Sequence, residues 1–193
     1  KKAIEYYNKG DYQRAMNLLD GVRSVFVGQA KAQNIAYYRA FCSYNMKDYQ
    51  IASDLFKQFI QTYPESSFAE ECLYMMGFCD YKASPKPRLD QQVTEKAIRE
   101  FQLYLSRYPY SMRKDKVNTY MDEMRDKLSY KAYLSAKNYY LREHYKAAVI
   151  SLQNCLKDYP GSKYREEIMY MLFVSKYQMA VNSVEDRKST RLN

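Results

Sequence analysis

The sequence predicts an all-α chain, an α-solenoid of about five helix pairs, on three observations. Only five Gly and five Pro stand among 193 residues, too few for a β-sandwich or barrel, which turns every ~8 to 12 residues. One spacing pattern recurs along the chain. Finally, 47% hydrophobic residues suffice for a packed core, and 23 Tyr with no Trp point to one repeated position for a ring with a polar tip.

The recurring pattern is clearest in three segments, 47–64, 94–109 and 144–160. In each, an Ala precedes a Pro by twelve residues (Ala52 and Pro64, Ala97 and Pro109, Ala148 and Pro160), a bulky apolar residue follows the Ala by four (Phe56, Phe101, Leu152), and a Tyr stands directly before the Pro. A further copy near the start has Ala15 and Leu19 in register but reaches Val27 without the Pro. Upstream lies a second pattern, a small residue twelve before the Ala and a Tyr eight before it: Ala3 and Tyr7, Ala40 and Tyr44, Ala136 and Tyr140. The third copy, Gly77, Tyr81 and Ala97, is stretched by eight residues. Small residues on paired helices allow close approach, and each Pro stops the second helix of its pair because it cannot continue the hydrogen-bond ladder. These segments resemble the tetratricopeptide repeat, a helix-turn-helix of about 34 residues, and Tyr6 to Ala15 reads almost letter for letter like its turn.

In chain order, the first pair spans the copy ending at Val27, and the second ends at Pro64. The third contains an interruption, Ser84 to Val93, whose Pro85 and Pro87 cannot lie inside a helix and predict a projecting loop. The fourth opens with an extended helix: Pro109 to Ala136 is 27 residues where the other repeats need 13, about four extra turns. Residues 112–143, free of Gly and Pro, read as helical throughout, a helix expected to jut from the stack or brace its halves. The fifth pair is incomplete, with Phe173 at the small position, and residues 186–193 read as an irregular tail without repeat character.

The charge is +9, with basic clusters at Lys82, Lys86 and Arg88, at Arg107, Arg113, Lys114 and Lys116, and at Lys157, Lys163 and Arg165. Such clusters keep a face solvated or attract an acidic partner or anionic membrane surface. Nucleic-acid binding is set aside because repeat periodicity already accounts for the aromatics and no nucleic-acid motif is present. No apolar run reaches the ~18 residues of a membrane-spanning helix. Cys42, Cys72, Cys79 and Cys155 lack zinc spacing and the single His144 cannot complete a site, so buried free thiols and no metal or other cofactor are expected. No nucleophile elbow, phosphate loop or zinc-helix motif is present, and the chain reads as non-enzymatic with no catalytic residue.

Positions flanking the small residues of the first helix in each pair are aromatic: Tyr37, Phe41, Tyr44, Tyr74, Phe78 and Tyr81 in the N-terminal half, continuing with Tyr133, Tyr140, Tyr170 and Tyr177. A single Tyr here is commonly structural. The set reads as a trough for an extended or helical peptide, since aromatic residues are enriched at interface hot spots.

Order as well as motif then brings one family into view. A first repeat of type Y-x-x-G-D-Y-x-x-A, a second ending F-I-x-x-Y-P, a third with Tyr74-Met75-Met76-Gly77, the Ser84-Pro85 to Asp90-Gln91 loop and Ala97 to Pro109, and a long helix with Arg125-Asp126-Lys127-Leu128 and Tyr139-Tyr140, closing at Tyr159-Pro160-Gly161-Ser162, resemble the BamD (YfiO) family of outer-membrane assembly lipoproteins. The chain departs from the family in lacking its N-terminal lipidated Cys and the first repeat's Pro, and in Leu89 at a position that is usually more polar.

The resemblance implies a scaffold on the periplasmic face of the outer membrane, held there only by a lipid anchor outside this sequence. It implies binding to a BamA-type barrel subunit, to unfolded outer-membrane proteins and to other assembly lipoproteins. It also implies a division of labour. Residues 1–109 would receive client peptides on the aromatic trough, and 110–185 would dock the partner through Arg125, Asp126, Lys127, Tyr133 and Tyr140. The other reading is a general repeat adaptor of the cell envelope or cytosol.

Overall fold

The computed structural model describes residues 1–191, with side chains described to Ser183. Nine helices stand among the described residues: α1 (Lys2–Asn8), α2 (Tyr12–Arg23), α3 (Lys31–Asn45), α4 (Tyr49–Thr62), α5 (Ala69–Ala83), α6 (Gln92–Arg107), α7 (Lys114–Leu141), α8 (Tyr145–Asp158) and α9 (Arg165–Arg191). No strand appears among those residues, and neighbours in sequence are neighbours in packing from α1 through α6 and again from α8 to α9. The fold is the predicted tetratricopeptide-like α-solenoid.

The repeat is visible in backbone geometry. Tyr63, Tyr108 and Tyr159 end α4, α6 and α8 at φ −130, −127 and −131° with ψ 61, 66 and 66°, because a residue before proline is driven out of the helical region. The turns inside the pairs also coincide. Gly10, Lys47 and Glu143 have φ of 81, 68 and 60°. In each turn the next amide bonds the carbonyl five residues back: Asp11 to Tyr6 at 2.9 Å, Asp48 to Ser43 at 3.0 Å and His144 to Tyr139 at 3.0 Å. This is the doubled carbonyl capping of a helix end in which one residue turns left-handed. Only the first copy places glycine there.

The small positions carry the packing. Ala15, Ala40, Ala52, Ala97, Ala136 and Ala148 are wholly buried. A Cβ on Gly77 would come 2.9 Å from Cδ1 of Phe101, so the Gly is what lets α5 and α6 close on each other.

The chain forms two compact units, Lys1–Pro85 with Leu89–Met124, and Lys86–Arg88 with Arg125–Asn193. The division falls inside α7, at 124/125, whereas the sequence reading drew it at 109/110. The reason is in the side chains: Val117, Met121 and Met124 join the core of the first unit with Phe56, Phe101 and Tyr104, while Tyr133 and Ala136 join Leu152, Ile168 and Met171 in the second. The inserted turns of α7 thus serve one core before the chain enters the next.

Two expectations are corrected. The loop after α5 has its tip, Lys86–Arg88, grouped with the second unit, where Arg88 lines a hollow with Lys131, Leu134 and Asn138, so it is not simply a projection. Its return is pinned by the buried Gln91 and Thr94, whose side chains bond each other at 2.7 Å. Residues 186–191, expected as irregular, continue α9, and the last two residues of that segment lie outside the described ones.

All four cysteines are free and buried. Burial pushes Cys42 up to about 11 and Cys72 to about 12, so at neutral pH these sulfurs are protonated and poor nucleophiles. No helix among the described residues is long and apolar enough to cross a membrane.

Candidate functional site

The aromatic side chains of α3 and α5 form a connected array in the first unit. Tyr37 meets Phe41 at 4.6 Å between ring centroids, Phe41 meets Tyr44 at 6.4 Å, Tyr44 meets Phe78 at 6.2 Å, and Phe78 stacks on Tyr74 and Tyr81 at 5.6 and 5.9 Å. The helical spacing does this: positions three before, one after and four after a small residue fall on one face of their helix. All six residues picked from the sequence are therefore brought together.

Much of this surface faces protein. Tyr74 is buried and the other five are half-buried. Phe41 packs edge-on against Phe56 at 5.1 Å, and Tyr37 lies 4.6 Å from Phe68. The phenol tips are also engaged. Tyr37 donates to Glu71 at 2.8 Å and Tyr81 donates to Glu123. Burial, followed by the Glu71 bond and charge, raises the Tyr37 phenol well above its ordinary range, and burial with Glu123 pushes Tyr81 up to about 12. Both are neutral donors at physiological pH. What the array offers a ligand is ring edges between anchored hydroxyls.

Sequence reasoning missed Tyr120, which stacks on Tyr81 at 4.5 Å and lies tilted against Phe78 at 5.4 Å. Tyr120 stands eleven after Pro109, one beyond the offset at which Tyr74 follows Pro64, and register counted back from Ala136 crosses the inserted turns, so the repeat pattern does not single it out. Lys82 and Arg113, read from the sequence as members of basic clusters, were not placed at the array. Arg113 lies over the Tyr74 ring at 4.7 Å and reaches Glu71 at 3.6 Å, and Lys82 lies over Phe78 at 5.3 Å.

In the second unit the five proposed docking residues are not one surface. Arg125 and Asp126 are exposed, Asp126 lying 4.0 Å from Lys163, and Lys127 is half-buried. Tyr133 is 5% exposed, stacks on Tyr164 at 4.4 Å and accepts a 2.8 Å bond from Lys137. Tyr140 is half-buried against the same core. The aromatic register instead emerges on α9, where Tyr170, Phe173 and Tyr177 are 64, 71 and 59% exposed. Three and four residues apart, they share a helix face.

No group of three His, Cys, Asp or Glu among the described residues could hold a metal ion. The arrangement supplies recognition surface: rings, neutral phenols and paired charges held on stacked helices.

Such a chain is a helical-repeat protein. A family model described as outer membrane lipoprotein, YfiO, matches residues 1–192. The chain belongs to this family, the BamD family, as its repeats, loop and long helix predicted. Comparison with curated proteins gives no match.

Proposed function

We propose that this chain is a non-enzymatic scaffold of outer-membrane β-barrel assembly, docking onto a BamA-type barrel subunit and receiving unfolded outer-membrane proteins at the periplasmic face. The observation that carries the reading is the row Tyr170, Phe173 and Tyr177 on α9. In the earlier repeats the same register positions are buried or half-buried, as with Tyr74, Gly77 and Tyr81, while on α9 they stand in solvent. Phe173 at the small position forbids the close approach of an ordinary second helix and presents an aromatic anchor, the residue type that dominates interface energies. The charged Arg125 and Asp126 would form a polar rim, and the half-buried rings of α3 and α5 the client-facing surface.

The test is calorimetric binding of the periplasmic domains of a BamA-type subunit to wild type and to Phe173→Asp with Tyr177→Ser. Loss of ~2 kcal/mol or more, about 30-fold, is expected for hot-spot anchors, with helicity unchanged because both side chains are exposed. Equal binding by the variant would remove α9 from the interface. Failure of wild type to bind would favour the general adaptor.

A further inference from the structure

We infer that the first helix pair rests directly on an anionic phospholipid bilayer, a contact separate from any lipid anchor and independent of the docking reading above. Large apolar side chains of the first helix pair stand in solvent. Here Ile4, Leu18, Val22, Val25 and Val27 are 38, 41, 38, 66 and 74% exposed. Leu18, Val22 and Val25 follow one another at helical spacing, so they form a continuous strip from α2 into the 3-10 turn Ser24–Phe26.

The strip borders a hollow of about 500 Å³ floored by Ile4, Leu18, Val22 and Phe26 and edged by Lys1, Lys2 and Lys31. The Lys31 ammonium stands 5.8 Å from the Phe26 ring centroid, at the hollow's edge. A second hollow of about 380 Å³ shares Ile35 and carries Arg23 and Arg39. Neither lining holds a carboxylate. Asp20 bonds Arg39 at 2.5 Å, leaving Lys1, Lys2, Arg23 and Lys31 as exposed cations on this surface, with Glu5 the nearby acid on α1. Apolar side chains ringed by ammonium and guanidinium groups complement an interface of acyl chains and anionic headgroups. A protein partner would need its own apolar face framed by acids. A bilayer supplies both, and the family is one of membrane lipoproteins.

The chain has no Trp, so Val27→Trp makes a single fluorescent reporter at an exposed position. Titration with vesicles of phosphatidylglycerol and phosphatidylethanolamine is expected to blue-shift its emission, and bilayer-brominated lipid to quench it. Phosphatidylcholine vesicles are expected to do neither. Each Lys or Arg near an anionic surface contributes about fivefold in affinity, so Lys2→Ala with Lys31→Ala should weaken binding roughly 25-fold. Val25→Asp should abolish the shift, with circular dichroism unchanged. An unshifted reporter, equal response to neutral vesicles, or full binding by Val25→Asp would overturn the inference. So would an equal loss from Lys157→Ala with Lys163→Ala in the second unit, since that result would mean net charge alone attracts the protein.

Discussion

Among single residues, Glu100 carries the sharpest consequence. Its carboxyl lies between α5 and α6 with the 2% exposed Asp80, and Lys96 reaches Asp80 at 2.8 Å and Glu100 at 3.7 Å. Ser53 at 3.3 Å and Asp54 at 4.0 Å face Lys96 from α4, which also brings Lys57 toward Glu100. Burial, then the charge and hydrogen bond of Asp80, pushes Glu100 up to about 8. The folded state therefore holds a proton that the unfolded chain releases near 4.5. Stability from this group is complete below that value and is lost as pH rises through about 8. Glu100→Gln keeps the shape and a donor without the ionisation. Thermal melts should show the variant gaining on wild type between pH 5 and 8, by about 2–4 °C for each kcal/mol relieved, and equal to it near pH 4. Parallel melting curves at every pH would show that the pair is not titrating. None of this was legible beforehand, because Asp80 and Glu100 stand twenty residues apart across the stretched repeat and only folding brings two acids under one ammonium.

Elements were read more fully than residues. The Tyr-Pro stops and the small positions gave the helices from α3 to α8, because those rules act over a few residues: proline excludes its predecessor from the helix, and a missing side chain admits a neighbour. The exposed row on α9 was half legible, its aromatic register visible and its exposure not, since exposure depends on what is packed alongside. The turns hold a further consequence. Lys47 and Glu143 occupy the left-handed conformation that Gly10 fills in the first repeat, at a cost of about 1–2 kcal/mol per non-glycine residue. Glycine removes that strain while loosening the unfolded chain by about 0.5–1 kcal/mol. Lys47→Gly and Glu143→Gly should each gain up to ~1 kcal/mol on balance in urea unfolding, with Ala at either position giving no gain. A loss on Gly substitution would mean that the side chains contribute more than their backbone geometry costs.

At the scale of the molecule, a stack in which each hairpin touches its neighbours has stability distributed by unit, and the buried clusters of the first unit share no residue with that of the second. Phe101, wholly buried and in contact with Tyr74 at 6.3 Å and Tyr120 at 6.0 Å, belongs to the first core. Leu152 and Ile168 belong to the second. Phe101→Ala removes a ring from a packed interior, a change that costs about 3–5 kcal/mol. In native-state hydrogen exchange that loss should appear at the amides of α5 and α6 and in α7 up to Met124, while α8 and the start of α9 keep their protection. The boundary between the two behaviours should fall within one uninterrupted helix, between Met124 and Arg125, because a helix transmits backbone bonds but not the burial that stabilises either core. An equal fall in protection on both sides of that point would show one cooperative body. Partner docking on α9 and membrane contact at the first helix pair would then report on each other, and the two binding tests above could no longer be read separately.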